Sequence, residues 1–317
     1  MSAAADGEIV AIDRDLFAKV VRDDAQVLRL AGGFGFVEGP TWTDRDGGYL
    51  LFSDIPRNQI HRFVGVGSGP SVYREPTGNT NGNTRDADGR LLSCEHSGRR
   101  VAIENDAGVR TTVVDQFEGK RLNSPNDVVV KSDGTIWFTD PPYGLPPGEA
   151  GRELDRNHVF RFDPRDGSLT SVTDDFDRPN GLCFSPDESR LYIADSSRRA
   201  HIREFHVDDR GHLHRGRVFC TIETGVPDGI RCDVDGRVWS SAGDGVHVFD
   251  AAGDLIGRIV TPLAPSRSDA SVMAPETVAN LCFGGGGPTV SRLYLTACTS
   301  LYAIDVLVRG ATQGRSG

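Results

Sequence analysis

The chain has 317 residues, a formal net charge of −10, 38 glycines, 17 prolines and six cysteines. That acidic balance, with no basic stripe to replace phosphate counterions, excludes a nucleic-acid partner. No run approaches the ~20 apolar residues that a bilayer crossing needs, and no basic-then-apolar start signals secretion.

The cysteines form no CxxC pair, which argues against a thiolate metal site. Cys94, Cys183, Cys232 and Cys282 instead alternate with apolar neighbours, as small core residues do. Reduced thiols of a cytoplasmic protein are the expectation.

In chain order, residues 1–33 read as an N-terminal extension in which 13–21 (DRDLFAKVV) predict a short helix packed outside the next domain. From Glu38 one kind of segment then recurs: a polar residue, an apolar strand, an Asp-Gly-like turn and a second apolar strand. Its copies open at Glu38 (EGPTWTDRDGGYLLFSD), Asn81 (NGNTRDADGRLLSCEH), Asn126 (NDVVVKSDGTIWFTD), Asn180 (NGLCFSPDESRLYIADS), Asp228 (DGIRCDVDGRVWSS) and Ala279 (ANLCFGGGGPTVSRLYLTA). Spacings of 43 to 54 residues between openers, with short strands and Gly-containing turns, predict an all-β, six-bladed β-propeller over residues 34–309. The remainder, 310–317, has no apolar pattern and is expected to be disordered.

Within each copy the turn residues (Ser132-Asp133-Gly134, Pro186-Asp187-Glu188, Asp233-Val234-Asp235-Gly236) tolerate the positive φ of a tight hairpin. The second strand therefore returns to the end where the first began. Asp54, Glu95-His96, Asp140 and Asp195-Ser196 close the second strands, so one mouth of the channel should carry the chemistry. Candidates for the third and fourth strands are 159–162, 202–206, 246–249 and 301–304. The long Pro- and Gly-rich segment between Asp140 and His158 is a candidate cover for that mouth.

Glu38, Asn126, Asn180 and Asp228 share one step of four blades and offer only oxygen. Asn and Asp at strand starts also cap turns, but four at one register aimed at one axis need a common reason. Two carboxylates brought together repel and are costly to desolvate, and a divalent cation resolves that conflict. All-oxygen ligation ranks Ca²⁺ first, with Mg²⁺, Mn²⁺ or Zn²⁺ as alternatives. Asn81 shares the register and is expected to contact substrate. Ala279 implies that the sixth blade contributes nothing.

Other motifs carry less. Gly284–Gly287 lacks the Lys-Ser/Thr of a phosphate loop and reads as the hairpin turn of blade six. His212-Leu213-His214 alternates like an exposed strand and is expected to face solvent rather than ligate. Gly65–Gly69 is a loop. Asp195-Ser196 shows no paired histidine, so packing or hydrogen bonding is expected there.

Several motifs together resemble the SMP-30/gluconolactonase group, six-bladed propellers that hydrolyse sugar lactones and related esters. They are Glu38-Gly39-Pro40 with Trp42; Asn123-Ser124-Pro125-Asn126-Asp127; Trp137-Phe138-Thr139-Asp140-Pro141-Pro142-Tyr143-Gly144; Pro179-Asn180-Gly181-Leu182; and Pro227-Asp228-Gly229. The similarity runs from about Phe34 to Asp305 and implies that Glu38, Asn180 and Asp228 hold a divalent cation. Asn126 would hold the cation or touch substrate.

A lactonase mechanism follows, in which the cation polarises the lactone carbonyl and Asp228 is the candidate general base. His96 is a candidate proton shuttle or hydroxyl donor, and Tyr143, Asn123 and Arg121 are candidate substrate contacts. The expected partner is a small sugar lactone, and the expected assembly a monomer or homodimer. Two alternatives stay open: a phosphotriesterase- or arylesterase-like hydrolase on the same cation, and a non-catalytic propeller with a structural ion.

Overall fold

The computed structural model describes residues 7–65, 67–265, 273–285 and 291–311. Six antiparallel sheets surround one channel, each with its first strand innermost. Blade 1 comprises Val37–Thr43, Tyr49–Asp54, Gln59–Phe63 and Ser71–Arg74. Blade 2 comprises Thr80–Arg85, Leu91–Glu95, Arg100–Glu104 and Arg110–Val114. Blade 3 runs from Val128–Val130 through Ile136–Asp140 and His158–Asp163 to Ser168–Thr173. Blade 4 runs from Pro179–Phe184 through Arg190–Asp195 and His201–Val207 to Leu213–Thr221. Blade 5 holds Ile230–Cys232, Val238–Ala242, Gly245–Phe249 and Leu255–Val260, and blade 6 holds Val278–Gly284, Ser291–Ala297 and Ser300–Val306.

The N-terminal segment completes this ring. Leu28–Gly32 pairs antiparallel with Ser300–Val306 and becomes the outer strand of blade 6, so the first and last parts of the chain share a sheet. Glu8–Ala11 adds a fifth strand to blade 5. Both strands lie before the expected boundary at residue 34, and the hydrogen-bonded unit reaches back to include them. Their partners are remote in sequence, so no local repeat announces them.

The expected helix is a single turn, Arg14–Phe17, whose first-turn amide of Leu16 donates to the Asp13 carboxylate. Phe17, Val20 and Val21 drop from it into a core shared with Trp239, Val248, Ile256 and Ile259. At the other terminus, Ala311 donates to the Cys232 carbonyl and Val234 donates to the Arg309 carbonyl. The rest of the expected disordered tail, 312–317, lies outside the described residues.

Blades adhere through apolar strand faces. Trp137 of blade 3 meets Phe184 of blade 4 edge-on at 5.4 Å, Trp239 of blade 5 meets Phe283 of blade 6 at 5.4 Å, and Trp42 of blade 1 stacks on Tyr294 of blade 6 at 5.5 Å. Each fully buried side chain of this size contributes about 1.5–3 kcal/mol. All six cysteines are buried, as a core role requires. Among the described residues no helix is long and apolar enough to cross a membrane.

The carboxylates that close the second strands act as ties. Asp54 accepts from the amides of Gly35 and Phe36, Asp140 from Asn123, and Asp195 from Arg178. Each thereby clamps the segment that leads into its own blade's first strand. Glu95 instead binds the Arg100 and Arg110 guanidiniums. These clamps fix the backbone just before the residues that ring the channel.

Candidate metal centre and active site

Each ring residue except Asn126 and its counterpart in blade 6 is followed by glycine, and the spacing between blades explains this. An added Cβ on Gly39 would lie 2.0 Å from the Asn81 carbonyl oxygen, one on Gly82 2.5 Å from that of Asn126, and one on Gly181 2.3 Å from that of Asp228. The glycine lets the next blade's ring residue approach backbone to backbone, and Gly82 and Gly181 donate to those carbonyls. Several first strands also bulge at this step, between Glu38 and Thr41, Thr80 and Asn83, Pro179 and Leu182, and Val278 and Asn280. A bulge re-aims the side chain, here toward the axis.

The result is a continuous polar arc. Asn81 Nδ2 donates to Asn126 Oδ1 at 2.6 Å, Asn126 Nδ2 to Asn180 Oδ1 at 2.5 Å, and Asn180 Nδ2 to Ser196 Oγ at 2.9 Å. On the other side Glu38 Oε2 accepts from the Gly39 amide at 2.6 Å and from Asn280 Nδ2 at 2.9 Å. Asp228 closes the ring, its carboxyl against the Glu38 carboxyl and the Asn180 carboxamide. Glu38, Asn81, Asn126 and Asn180 are buried, whereas Asp228 keeps some solvent access.

Electrostatics make this arrangement costly without a counter-ion. Burial, aided by the charge of Asp127, pushes the Glu38 carboxyl up to about 7. Burial and then the Glu38 and Asp127 charges push Asp228 well above the carboxylate range. Glu38 and Asp228 both feel the Asp127 charge, and the Arg231 guanidinium, 3.4 Å from Asp127, is the cation that acts on Asp127 and Glu38. Full ionisation leaves two negative charges that this arginine does not balance. A hard divalent cation matches that charge and this all-oxygen donor set, so the residues present fit the group.

Comparison with known proteins bears on the family. The model of the SMP-30/Gluconolactonase/LRE-like region matches residues 36–299. The chain belongs to that family. A gluconolactonase of Zymomonas mobilis is 32% identical over 82% of this chain and 76% of its own length. The pentonolactonase XacC of Haloferax volcanii is 29% identical over 88% of this chain and 94% of its own. The solved structure of a Xanthomonas campestris gluconolactonase superposes with a TM-score of 0.83 at 36% identity, covering 94% of this chain and 95% of that one.

Around the ring of this family member, the mouth is built from blades 2 to 4. His96 is buried with Nε2 3.4 Å from Asn81 Nδ2, and burial pulls its imidazole down to about 4. Gly144 packs on it so tightly that a Cβ would fall 2.4 Å from that of His96. Tyr143 next to it is partly exposed, with its hydroxyl donating to the Arg178 carbonyl at 3.3 Å. Burial and then the Asp228 charge push that phenol up. The expected cover, 141–157, is fastened down. Gly144 donates to Ser124, Gly151 accepts from Arg99, Glu153 accepts from the Arg121 amide, and Leu154 is buried in the core of blades 2 and 3.

Arg121 and Asn123 stand apart from the ring. Arg121 is exposed and its guanidinium donates to the Gly98 carbonyl. Asn123 is fully buried and donates to the carbonyls of Asp140 and Arg156, with Oδ1 unpaired. Ser196, expected to hydrogen-bond, links Asn180 to the Pro227 carbonyl and so braces two ring residues.

Sequence reasoning missed three members. Blade 6 does not abstain: Asn280, one residue past Ala279, binds Glu38, because the bulge shifts this blade's register by a step. Asp127 and Arg231 were passed over because each follows a ring residue on what reads as an apolar strand. An arginine inside such a strand demands a buried anion, and that was the available signal.

Proposed function

We propose that the chain is a divalent-cation-dependent hydrolase of sugar lactones, with Glu38, Asn126, Asn180 and Asp228 holding the ion and Ca²⁺ the first candidate. The observation that supports this most is the cluster of three carboxylates, Glu38, Asp127 and Asp228, with Arg231 beside Asp127 as its cation. The gluconolactonases and the pentonolactonase it resembles support the substrate class. When bound, a divalent cation supplies Lewis acidity at the lactone carbonyl and lowers the pKa of nearby water.

The chain's own residues do the rest. Asp228, fixed through its amide by Ser241 at 2.9 Å, accepts the proton of the attacking water. The new bond forms at the carbonyl carbon, the ring C–O bond breaks, and the proton passes to the departing ring oxygen. The product is an open hydroxy acid. Tyr143 and Asn81 offer hydrogen bonds to sugar hydroxyls, and the neutral His96 imidazole accepts or donates one without carrying charge at neutral pH. Arg121 remains a candidate for contact with the outer part of the sugar, whereas Asn123, fully buried and tied to the Asp140 and Arg156 carbonyls, braces the loop instead. The fastened 141–157 segment holds Tyr143 and His96 in place, so little ordering is required on binding.

A panel of six-carbon and five-carbon aldonolactones, with a phosphotriester and an aryl ester beside them, tests this reading. Lactone turnover exceeding the other two by at least about a hundredfold supports it, and the reverse order overturns it.

A further inference from the structure

We propose that the hairpin joining the third and fourth strands of blade 4 is a second metal site, built from Asp208, His212 and His214 and suited to Zn²⁺, Ni²⁺ or Cu²⁺. His201–Val207 starts at the mouth, so its far end and the following turn lie on the opposite face of the disc from Asn180. The site is thus separate from the polar ring and independent of the lactonase reading.

Register puts the donors together. His206 pairs directly with His214, and Val207 with Leu213. Side chains two residues apart on a strand share a face, so Asp208, His212 and His214 join His206 on one side of the hairpin. The Asp208 amide donates to the His212 carbonyl at 3.1 Å, which closes the turn opposite that face.

Asp208 is prepared for this role. Its Oδ1 accepts from the backbone amides of Arg210 at 3.0 Å and His212 at 2.8 Å. That leaves Oδ2 pointing at both imidazoles, 3.1 Å from His212 Nδ1 and 3.0 Å from His214 Nε2. The three donor atoms all lie within 4.8 Å of one another. Ligands about 2.0–2.1 Å from a tetrahedral zinc stand roughly 3.3 Å apart, so the present spacing requires little movement. The backbone amides play the part that outer hydrogen bonds play around metal-bound carboxylates, fixing the ligand before the ion arrives.

His206 lines the same open recess of about 450 Å³, together with Asp208, His214 and Arg215. It is placed to supply a fourth nitrogen, with water as the alternative. Two or three imidazoles and one carboxylate favour Zn²⁺, Ni²⁺ or Cu²⁺ over Ca²⁺, the reverse of the all-oxygen ring. Both histidines are exposed, so access is open. On binding, each imidazole moves its proton to the nitrogen facing away, and the Asp208 carboxylate exchanges two N–H donors for the ion.

Equilibrium dialysis of chelator-stripped protein against Zn²⁺ tests the proposal, comparing wild type with His212→Ala/His214→Ala and with Asp208→Asn. The expected result is that both variants bind one equivalent of Zn²⁺ fewer, or bind it at least about fiftyfold more weakly. Lactone turnover in Ca²⁺ should stay within about twofold of wild type. In parallel, sub-stoichiometric Ni²⁺ should broaden the imidazole resonances of His212 and His214 ahead of that of His247. Equal stoichiometry and affinity in wild type and variants, or broadening that spares His212 and His214, overturns it.

Discussion

The carboxyl groups of Glu38 of blade 1 and Asp228 of blade 5 meet within the channel, where the Glu38 charge helps push Asp228 up. Two carboxylates in contact cannot both stay ionised at low cost, so without a cation the pair retains a proton. Asp228→Asn should remove both the repulsion and the proton acceptor. Turnover should fall by about 10²–10⁴-fold, while the metal-free protein melts no lower than wild type. Kinetics and a thermal melt on the same sample check both halves.

The same pair sets a pH dependence. The Glu38 carboxyl, pushed up to about 7 by burial, binds its proton more tightly folded than unfolded. Its stabilising effect is therefore complete below about 4.5, the ordinary value, and is lost as pH rises through about 7. Metal-free protein should melt lower at pH 8 than at pH 5, and Ca²⁺ should raise the midpoint more at pH 8. Glu38→Gln should flatten the metal-free profile. Differential scanning calorimetry across pH 5 to 8, with and without Ca²⁺, reads this directly.

Much of this was legible in advance. The openers at Glu38, Asn126, Asn180 and Asp228 sit at the step where four blades turn toward the axis, because a period-two strand preserves facing from one repeat to the next. What escaped has physical causes. Leu28–Gly32 joins blade 6 through partners at the far end of the chain. Asn280 hid behind a bulge. The pull of Arg231 on Glu38 joins blade 5 to blade 1, which no single repeat encodes.

Asp140 gives an independent pH test away from the ring. Burial pushes its carboxyl up to about 7, even though Oδ2 accepts from the Asn123 amide at 2.7 Å. Stability from this group is full below about 3.8 and declines as pH rises through about 7, at roughly 1.4 kcal/mol per pH unit in that window. Asp140→Asn keeps an acceptor for Asn123 and carries no charge. Urea unfolding in saturating Ca²⁺ should show the variant gaining on wild type between pH 5 and 8.

Close approach between blades predicts a backbone-specific defect. A Cβ on Gly181 would stand 2.3 Å from the Asp228 carbonyl oxygen, whereas one on Gly65 meets nothing within 4 Å. Gly181→Ala should cost about 1–3 kcal/mol and displace Asp228, lowering both the melting point and kcat/KM. Gly65→Ala should change neither beyond error.

His96 should position substrate rather than transfer protons as an imidazolium. Burial pulls it down to about 4, so it is neutral throughout the working range. His96→Gln should raise KM several-fold, leave kcat within about tenfold, and leave the acid limb of the kcat/KM profile in place. Steady-state kinetics from pH 5 to 9 would show it.

The most direct measurement is aldonolactone hydrolysis by protein stripped with a chelator, its metal content followed by elemental analysis, and then titrated with Ca²⁺. The account predicts that turnover drops at least about a hundredfold on stripping and returns with one equivalent of ion bound, in wild type but not in Asp228→Asn. Undiminished turnover by protein that elemental analysis shows to be metal-free would contradict it.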